Sequence, residues 1–174
     1  DHTGTIFNEN GIDIAELEKH ISAGGNVGNF KGAQVINNED FWSCDVEILI
    51  PAALELQINE KRAKQIKAKL IVEGANGPTT AGADDILNKK GIIVIPDILA
   101  NGGGVTVSYF EWVQNRTGYY YSEDEINKRA DRWMKQAFHN VWGVSTKHKV
   151  PMRIAAYVFA LEKVAKATRA RGSY

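Results

Sequence analysis

Two groups of residues in this sequence could do chemistry by type and spacing. The first is the stretch AGGNVGNFKG, residues 23–32, where Gly25, Gly28 and Gly32 crowd together. Such a loop cradles phosphate when a buried strand delivers the chain into it and a helix leaves it, because the helix start supplies free N–H groups. The second is a pair of asparagines in runs of small residues: Asn76 in EGANGPTT (73–80) and Asn101 in NGGG (101–104). A primary amide both donates and accepts hydrogen bonds, which suits a carboxamide or a ribose, and small neighbours let a flat ligand approach the backbone. Pro51, Ala52 and Ala53 form a third small run. Val105 and Ser108, three apart, would share one face of a helix.

The elements around these residues decide between the two groups. Upstream of the glycine loop, GIDIAELEKHISAG reads as a helix, with Ile14, Leu17 and Ile21 at helical spacing, Asp13 as N-cap and Glu16 three residues on. Gly24 and Gly25 then read as its exit and a turn. Downstream lies a short strand candidate, residues 33–36, rather than a helix. The loop thus sits at the negative end of a helix dipole, a poor place for phosphate, and a glycine turn is expected. The asparagines fare better. VEILIP (46–51), KLIVEG (69–74) and GIIVIP (91–96) read as strands buried on both faces. Amphipathic helical segments separate them, over LQINEKRAKQIKAK and TTAGADDILNKK. That alternation predicts an α/β fold with a parallel sheet. Open sheets of this kind bind ligands beyond the carboxyl ends of their strands, and all three small runs fall there. Three further helices are expected, one over VTVSYFEWVQN, one capped by Ser122 with Glu125 three residues on, and one from Pro151 to Gly172.

Composition narrows the function classes. The chain has 174 residues, 21 basic and 21 acidic, and is 44% apolar, which suits one domain with a core. The charges are interspersed, so nucleic acid is not an expected partner. No apolar run reaches the roughly 18–20 residues that span a bilayer, and membrane is not an expected partner either. The single Cys44 cannot form an internal disulfide and fits a reducing compartment. His2, His20, His139 and His148 lack the spacing of a metal site. The aromatic residues 119–121 with Trp112 and Trp133 are expected to pack in the core or between domains rather than stack on bases.

The motifs EGANGPTT, IPDILANGGGVTVSYFEW (95–112) and RIAAYVFALEKV (153–164) closely resemble the cofactor-binding domain of the glutamate dehydrogenases, in the glutamate/leucine/phenylalanine/valine dehydrogenase family. GTIFNENGID (4–13) and DVEILIPAAL (45–54) fit as well, in the same order. The resemblance implies a Rossmann-like parallel sheet flanked by helices that lacks its first strand, with long C-terminal helices. It implies that residues 1–174 form an NAD(P)-binding domain truncated at its N-terminus, with helices over about 122–172 packing towards an absent substrate domain. The phosphate loop, that first strand and the family's catalytic lysine and aspartate would then lie upstream. The implied activity of the parent enzyme is oxidative deamination of L-glutamate to 2-oxoglutarate and ammonia with NAD or NADP, in a homohexamer. The short stretch between Trp112 and the last helices implies a microbial, cytoplasmic branch.

The resemblance also gives roles to single residues. Asp1 would accept hydrogen bonds from the adenosine ribose, Ala52 and Ala53 would line the adenosine or ribose side, and Gly74, Ala75 and Asn76 would face the nicotinamide. Asn101 would touch nicotinamide or substrate, while Val105 and Ser108 would close the pocket around the substrate's side-chain carboxylate. Each has a plainer alternative. Asp1 could be a solvated terminus, the alanines could pack a helix start, and either Asn could bond its own backbone in a turn. Ser108 could bond the carbonyl four residues back. Two other readings stay open for the chain: a non-catalytic nucleotide-binding or interaction module, and a dehydrogenase for another amino acid.

Overall fold

A computed structural model describes residues 1–172, so the last two residues of the expected domain lie outside it. Three strands, β3 (Ile48–Leu49), β4 (Leu70–Val72) and β5 (Ile93–Ile95), form a parallel sheet with β4 in the middle. Leu49 pairs with Ile71, and Val72 with Ile95. The crossovers run through α3 (Glu60–Gln65) and α4 (Ala81–Lys89). The expected α/β class and parallel order hold. The strands are shorter than the apolar runs and are not buried on both faces. Leu49, Ile71 and Val94 point into a core with Ile58, Ala63, Ile66 and Leu87, whereas Ile48 and Ile93 are exposed on the other side. Both crossover helices lie against the first face.

The first quarter of the chain forms a separate ribbon. β1 (Thr5–Phe7) and β2 (Gln34–Ile36) pair antiparallel and do not join the parallel sheet. Between them, α1 (Ile14–Ser22) begins where Asp13 accepts from the Glu16 N–H. The glycine loop is a turn. Gly24 takes φ +89°, Val27–Asn29 form one 3-10 turn, and a Cβ on Gly28 would come 2.5 Å from the Thr3 carbonyl oxygen. Gly28 is therefore required by the backbone packed on it. A four-residue helix, α2 (Asn38–Phe41), leads to Trp42, which is buried beneath the Arg62 guanidinium.

The helix expected over residues 56–69 shrinks to the six residues of α3. The chain before it is pulled straight by Ile58, which bridges in parallel to Thr79 and bonds Pro78 O and Thr80 N. After β5 come α5 (Asp97–Ala100), α6 (Gly102–Thr117), α7 (Glu123–His148) and α8 (Met152–Arg171). Gly102, Gly103 and Gly104, which the expected helix over VTVSYFEWVQN left out, form the first turn of α6. α7 starts at the Ser122–Glu125 capping box and α8 ends at Gly172 in the left-handed region, both as the sequence predicts. No helix of the described residues is long and apolar enough to cross a membrane.

Candidate functional site

The three small runs meet at the carboxyl edge of the parallel sheet. Ala75 N–H donates to the Pro51 carbonyl at 2.9 Å, joining the exits of β3 and β4. Gly74 faces Ala52 so closely that a Cβ there would lie 3.1 Å from the Ala52 Cβ. Between the exits of β4 and β5, the Asn101 amide donates to Asn76 Oδ1 at 2.6 Å. Gly77 N–H donates to Asp97 Oδ2 at 2.8 Å, pinning the β4 exit to the start of α5. Ala52, Ala53, Gly74 and Asn76 are exposed, so the edge is open to a ligand, and Ala75 is buried beneath it.

Behind this edge lies a buried ionic cluster. Glu73, at the end of β4, is fully buried. Its Oε1 accepts from Arg153 Nη2 at 2.6 Å and its Oε2 accepts from the Asp97 N–H at 2.8 Å. Arg153, on the first turn of α8, also donates through Nε to Asp84 Oδ2 at 3.1 Å and through Nη1 to Asp97 Oδ1 at 3.3 Å. Burial by itself would lower the guanidinium pKa, but the bonds and charges of Glu73 and Asp84 outweigh it and hold the group above its ordinary value. Three carboxylates share one cation. Backbone N–H donors and the first turns of α4 and α5, where Asp84 and Asp97 sit, offset the excess.

The edge brings together Ala52, Ala53, Gly74, Ala75, Asn76 and Asn101. The plainer alternatives for several of them fall away. Ala52 and Ala53 start no helix, and each asparagine bonds the other rather than its own turn. Val105 and Ser108 follow on α6, both exposed, and the hydroxyls that bend back in this helix belong to Thr106 and Thr117, which donate to the Gly102 and Val113 carbonyls, each at 2.9 Å. Asp1 stands apart on the antiparallel ribbon, where its Oδ1 accepts from the Thr3 N–H and hydroxyl at 2.8 and 2.6 Å. Trp112 and Trp133 are not core residues. They stay exposed and stack on Tyr109. Cys44 is only half-buried.

The arrangement has known counterparts. A model of the Glutamate/Leucine/Phenylalanine/Valine dehydrogenase family matches residues 1–172. The chain belongs to this family. It is 50% identical over 169 residues to the NAD-specific glutamate dehydrogenase of Clostridioides difficile, covering 97% of this chain and 40% of that protein. The crystal structure of glutamate dehydrogenase from Peptoniphilus asaccharolyticus superposes with a TM-score of 0.79 at 40% identity, over 97% of this chain and 37% of that one. The hetero-hexameric glutamate dehydrogenase of Thermus thermophilus, in its leucine-bound form, gives 0.86 at 30% identity over 98% and 40%. The chain therefore spans about two fifths of the length of the relatives it matches.

In this chain, sequence reasoning missed Glu73, Asp84, Asp97 and Arg153. A signal existed for two of them. Glu73 is the acid that ends an otherwise apolar strand, and Arg153 is the one charge in the helix start MRIAAY. A carboxylate in a strand core needs a cation, but neither residue points to the other across 80 positions.

Proposed function

We propose that this chain is the cofactor-binding part of an amino-acid dehydrogenase that deaminates L-glutamate oxidatively to 2-oxoglutarate and ammonia, using NAD or NADP. The observation that carries the reading is the Asn76–Asn101 bond, which places two amides side by side across neighbouring strand exits, above small residues. Family membership and the NAD-specific name of a relative 50% identical to it support the choice of cofactor and substrate.

The residues at the edge fit a nicotinamide dinucleotide. The narrow Ala52–Gly74 contact leaves a flat floor on which a ring or ribose can rest, and open space lies where Gly103 and Gly104 would carry side chains. Asn76 and Asn101 would hold the carboxamide end, with Gly74 and Ala75 beneath it and Ala52 and Ala53 towards the ribose. Bound there, the cofactor supplies hydride acceptance. On this reading Asp1 serves the adenosine ribose, and its Oδ1 is already engaged by Thr3. Val105 would touch the substrate's carbon chain, and Ser108 would donate to its side-chain carboxylate. The apolar face on the long helices would be covered by the rest of the enzyme, in a homo-oligomer. Residues 1–174 alone would turn over no glutamate.

Ser108 tests the substrate assignment. A charge-assisted bond to a carboxylate contributes roughly 1.5–3 kcal/mol. In the complete enzyme, Ser108→Ala should lower kcat/KM for glutamate about tenfold to a hundredfold and leave norvaline, which has no such carboxylate, nearly unchanged. Equal loss for both substrates would show that Ser108 does not read the carboxylate.

A further inference from the structure

The Arg153 guanidinium touches three separate elements. Its Nη2 reaches Glu73 at the end of β4, its Nε reaches Asp84 in α4, and its Nη1 reaches Asp97 where β5 passes into α5. Only one of those carboxylates needs a cation for burial's sake. Glu73 is fully buried, whereas Asp84 and Asp97 keep part of their side chains in solvent. The fork therefore fixes the relative positions of three elements, something a point charge cannot do.

Asp97 is the link from this fork to the open edge. Its Oδ1 accepts from Arg153 Nη1 and from the Ile98 N–H, which sets the carboxylate's rotation. Its Oδ2 is then aimed at the Gly77 N–H, 2.8 Å away. Gly77 takes φ +53° directly after Asn76, a conformation few other residues could adopt, and this bond holds its N–H while its carbonyl accepts from the Leu56 N–H at 2.8 Å. Asn76 in turn meets Asn101. At its other end the fork is carried by α8, whose Met152, Ala155 and Ala156 pack with Leu99 and Val141 of α5 and α7.

We propose that Arg153 is a positioning residue for the cofactor edge: acting through Asp97 and Gly77, it sets the Asn76–Asn101 pair and couples the placement of α8 to it. The proposal rests on the reading of that edge as the cofactor site. Its consequence is that anything that shifts the start of α8 changes how the edge receives its ligand, without touching that ligand.

The test uses the complete dehydrogenase that this reading calls for, with NAD as the varied substrate at saturating glutamate. Arg153→Lys keeps a cation for Glu73 but loses the fork. KM for NAD should rise roughly tenfold while kcat falls less. Amide exchange at Gly77 should speed up while Ile71 and Val94, in the sheet core, keep their protection. In a double-mutant cycle, Asn76→Ala should cost less on top of Arg153→Lys than alone, because the loop is already loosened. Should the lysine variant fail to fold, Asp97→Asn leaves the Glu73 ion pair in place and should give the same three results. Independent, multiplying effects, or unchanged exchange at Gly77, would overturn the proposal and leave the cofactor site standing. Faster exchange at Gly77 with KM for NAD unmoved by Asn76→Ala and Asn101→Ala would overturn the site reading and this proposal with it.

Discussion

The sheet half and the helical half of this chain spend their apolar residues differently. Around the sheet, α3 and α4 have 6 and 9 residues, and Ala63, Ala83 and Leu87 on them are buried in one core with Ile58, Ile66, Ile71 and Val94. The helical half is longer and emptier. α7 has 26 residues and buries only Val141, and α6 has 16 and buries only Phe110. Its large apolar side chains stay outside, among them Val105 at 73%, Trp112 at 56% and Leu161 at 65% exposure. Large apolar side chains exposed in that number fit a contact surface. The sheet half makes its own core, and on the proposed reading the rest of the enzyme covers the helical half; the chain spans 40% of a relative. Arg153 joins the two, and substitutions at and around it separate their contributions.

The largest effect is expected at that joint. Arg153→Met keeps the bulk of the stem and removes the charge, stranding Glu73 in the interior. Breaking a buried pair by removing one partner costs about 3–5 kcal/mol. Urea unfolding should show a loss of that size. A loss under about 1 kcal/mol would mean that Glu73 is satisfied by the Asp97 N–H alone, and the two halves would then be tied by packing rather than by charge.

Next comes a pair of truncations that tests the contrast directly. Ile71, fully buried in the middle strand, should lose about 2–5 kcal/mol on conversion to Ala. Leu161, with equal side-chain bulk but mostly exposed on α8, should change stability by no more than about 0.5 kcal/mol. In the complete enzyme Leu161→Ala should cost more than it does in this chain, since the proposed covering surface is then present. Equal losses at Leu161 in both contexts would remove the distinction between a self-sufficient half and a covered one.

The same contrast explains what could be read from sequence. In the sheet half, alternation of apolar runs with charged helices was enough to give the parallel order, and the small residues after each run gave the edge proposed as the cofactor site. Its errors came from long-range pulls. Ile58 pairs with Thr79 and shortens α3, and Ile48 and Ile93 are bare because both crossover helices cover the opposite face. The Asp13 boundary in the N-terminal ribbon, and the Ser122 and Gly172 boundaries in the helical half, were legible because caps are local chemistry. The glycine run 102–104 fell outside the expected helix because glycine marks turns by propensity. Here it opens α6, where a Cβ on Gly102 would lie 3.9 Å from Met134 Sδ. The Glu73–Arg153 cluster was illegible because its members are joined only by the fold. For the site, the asparagine pairing needed the structure, while the residues themselves did not.

The smallest expected effect concerns how α7 holds together with so little burial. Its devices are local: the capping box at Ser122 and Glu125, and the ion pairs of Lys128 with Asp124 at 2.5 Å and Lys135 with Asp131 at 2.9 Å. Glu125 Oε2 accepts from both the N–H and the hydroxyl of Ser122 at 3.0 Å. The backbone bond first, and the hydroxyl bond second, lower the Glu125 pKa below its ordinary 4.5. A carboxyl with a lower pKa in the folded state stabilises that state above the unfolded value, and its contribution fades as pH falls through the folded value. The start of α7 should therefore stay capped above pH 4.5 and fray below it, as the carboxylate gains a proton. Amide exchange at residues 123–126, corrected for the intrinsic pH dependence, should show protection falling with acid in the native chain. Glu125→Gln keeps an acceptor oxygen for Ser122 but cannot titrate, so its protection should be lower at neutral pH and flat across the same range. If the profiles of the native chain and the Glu125→Gln variant run parallel, the cap does not depend on charge, and α7 owes its start to tertiary contacts of the kind that hold the sheet half.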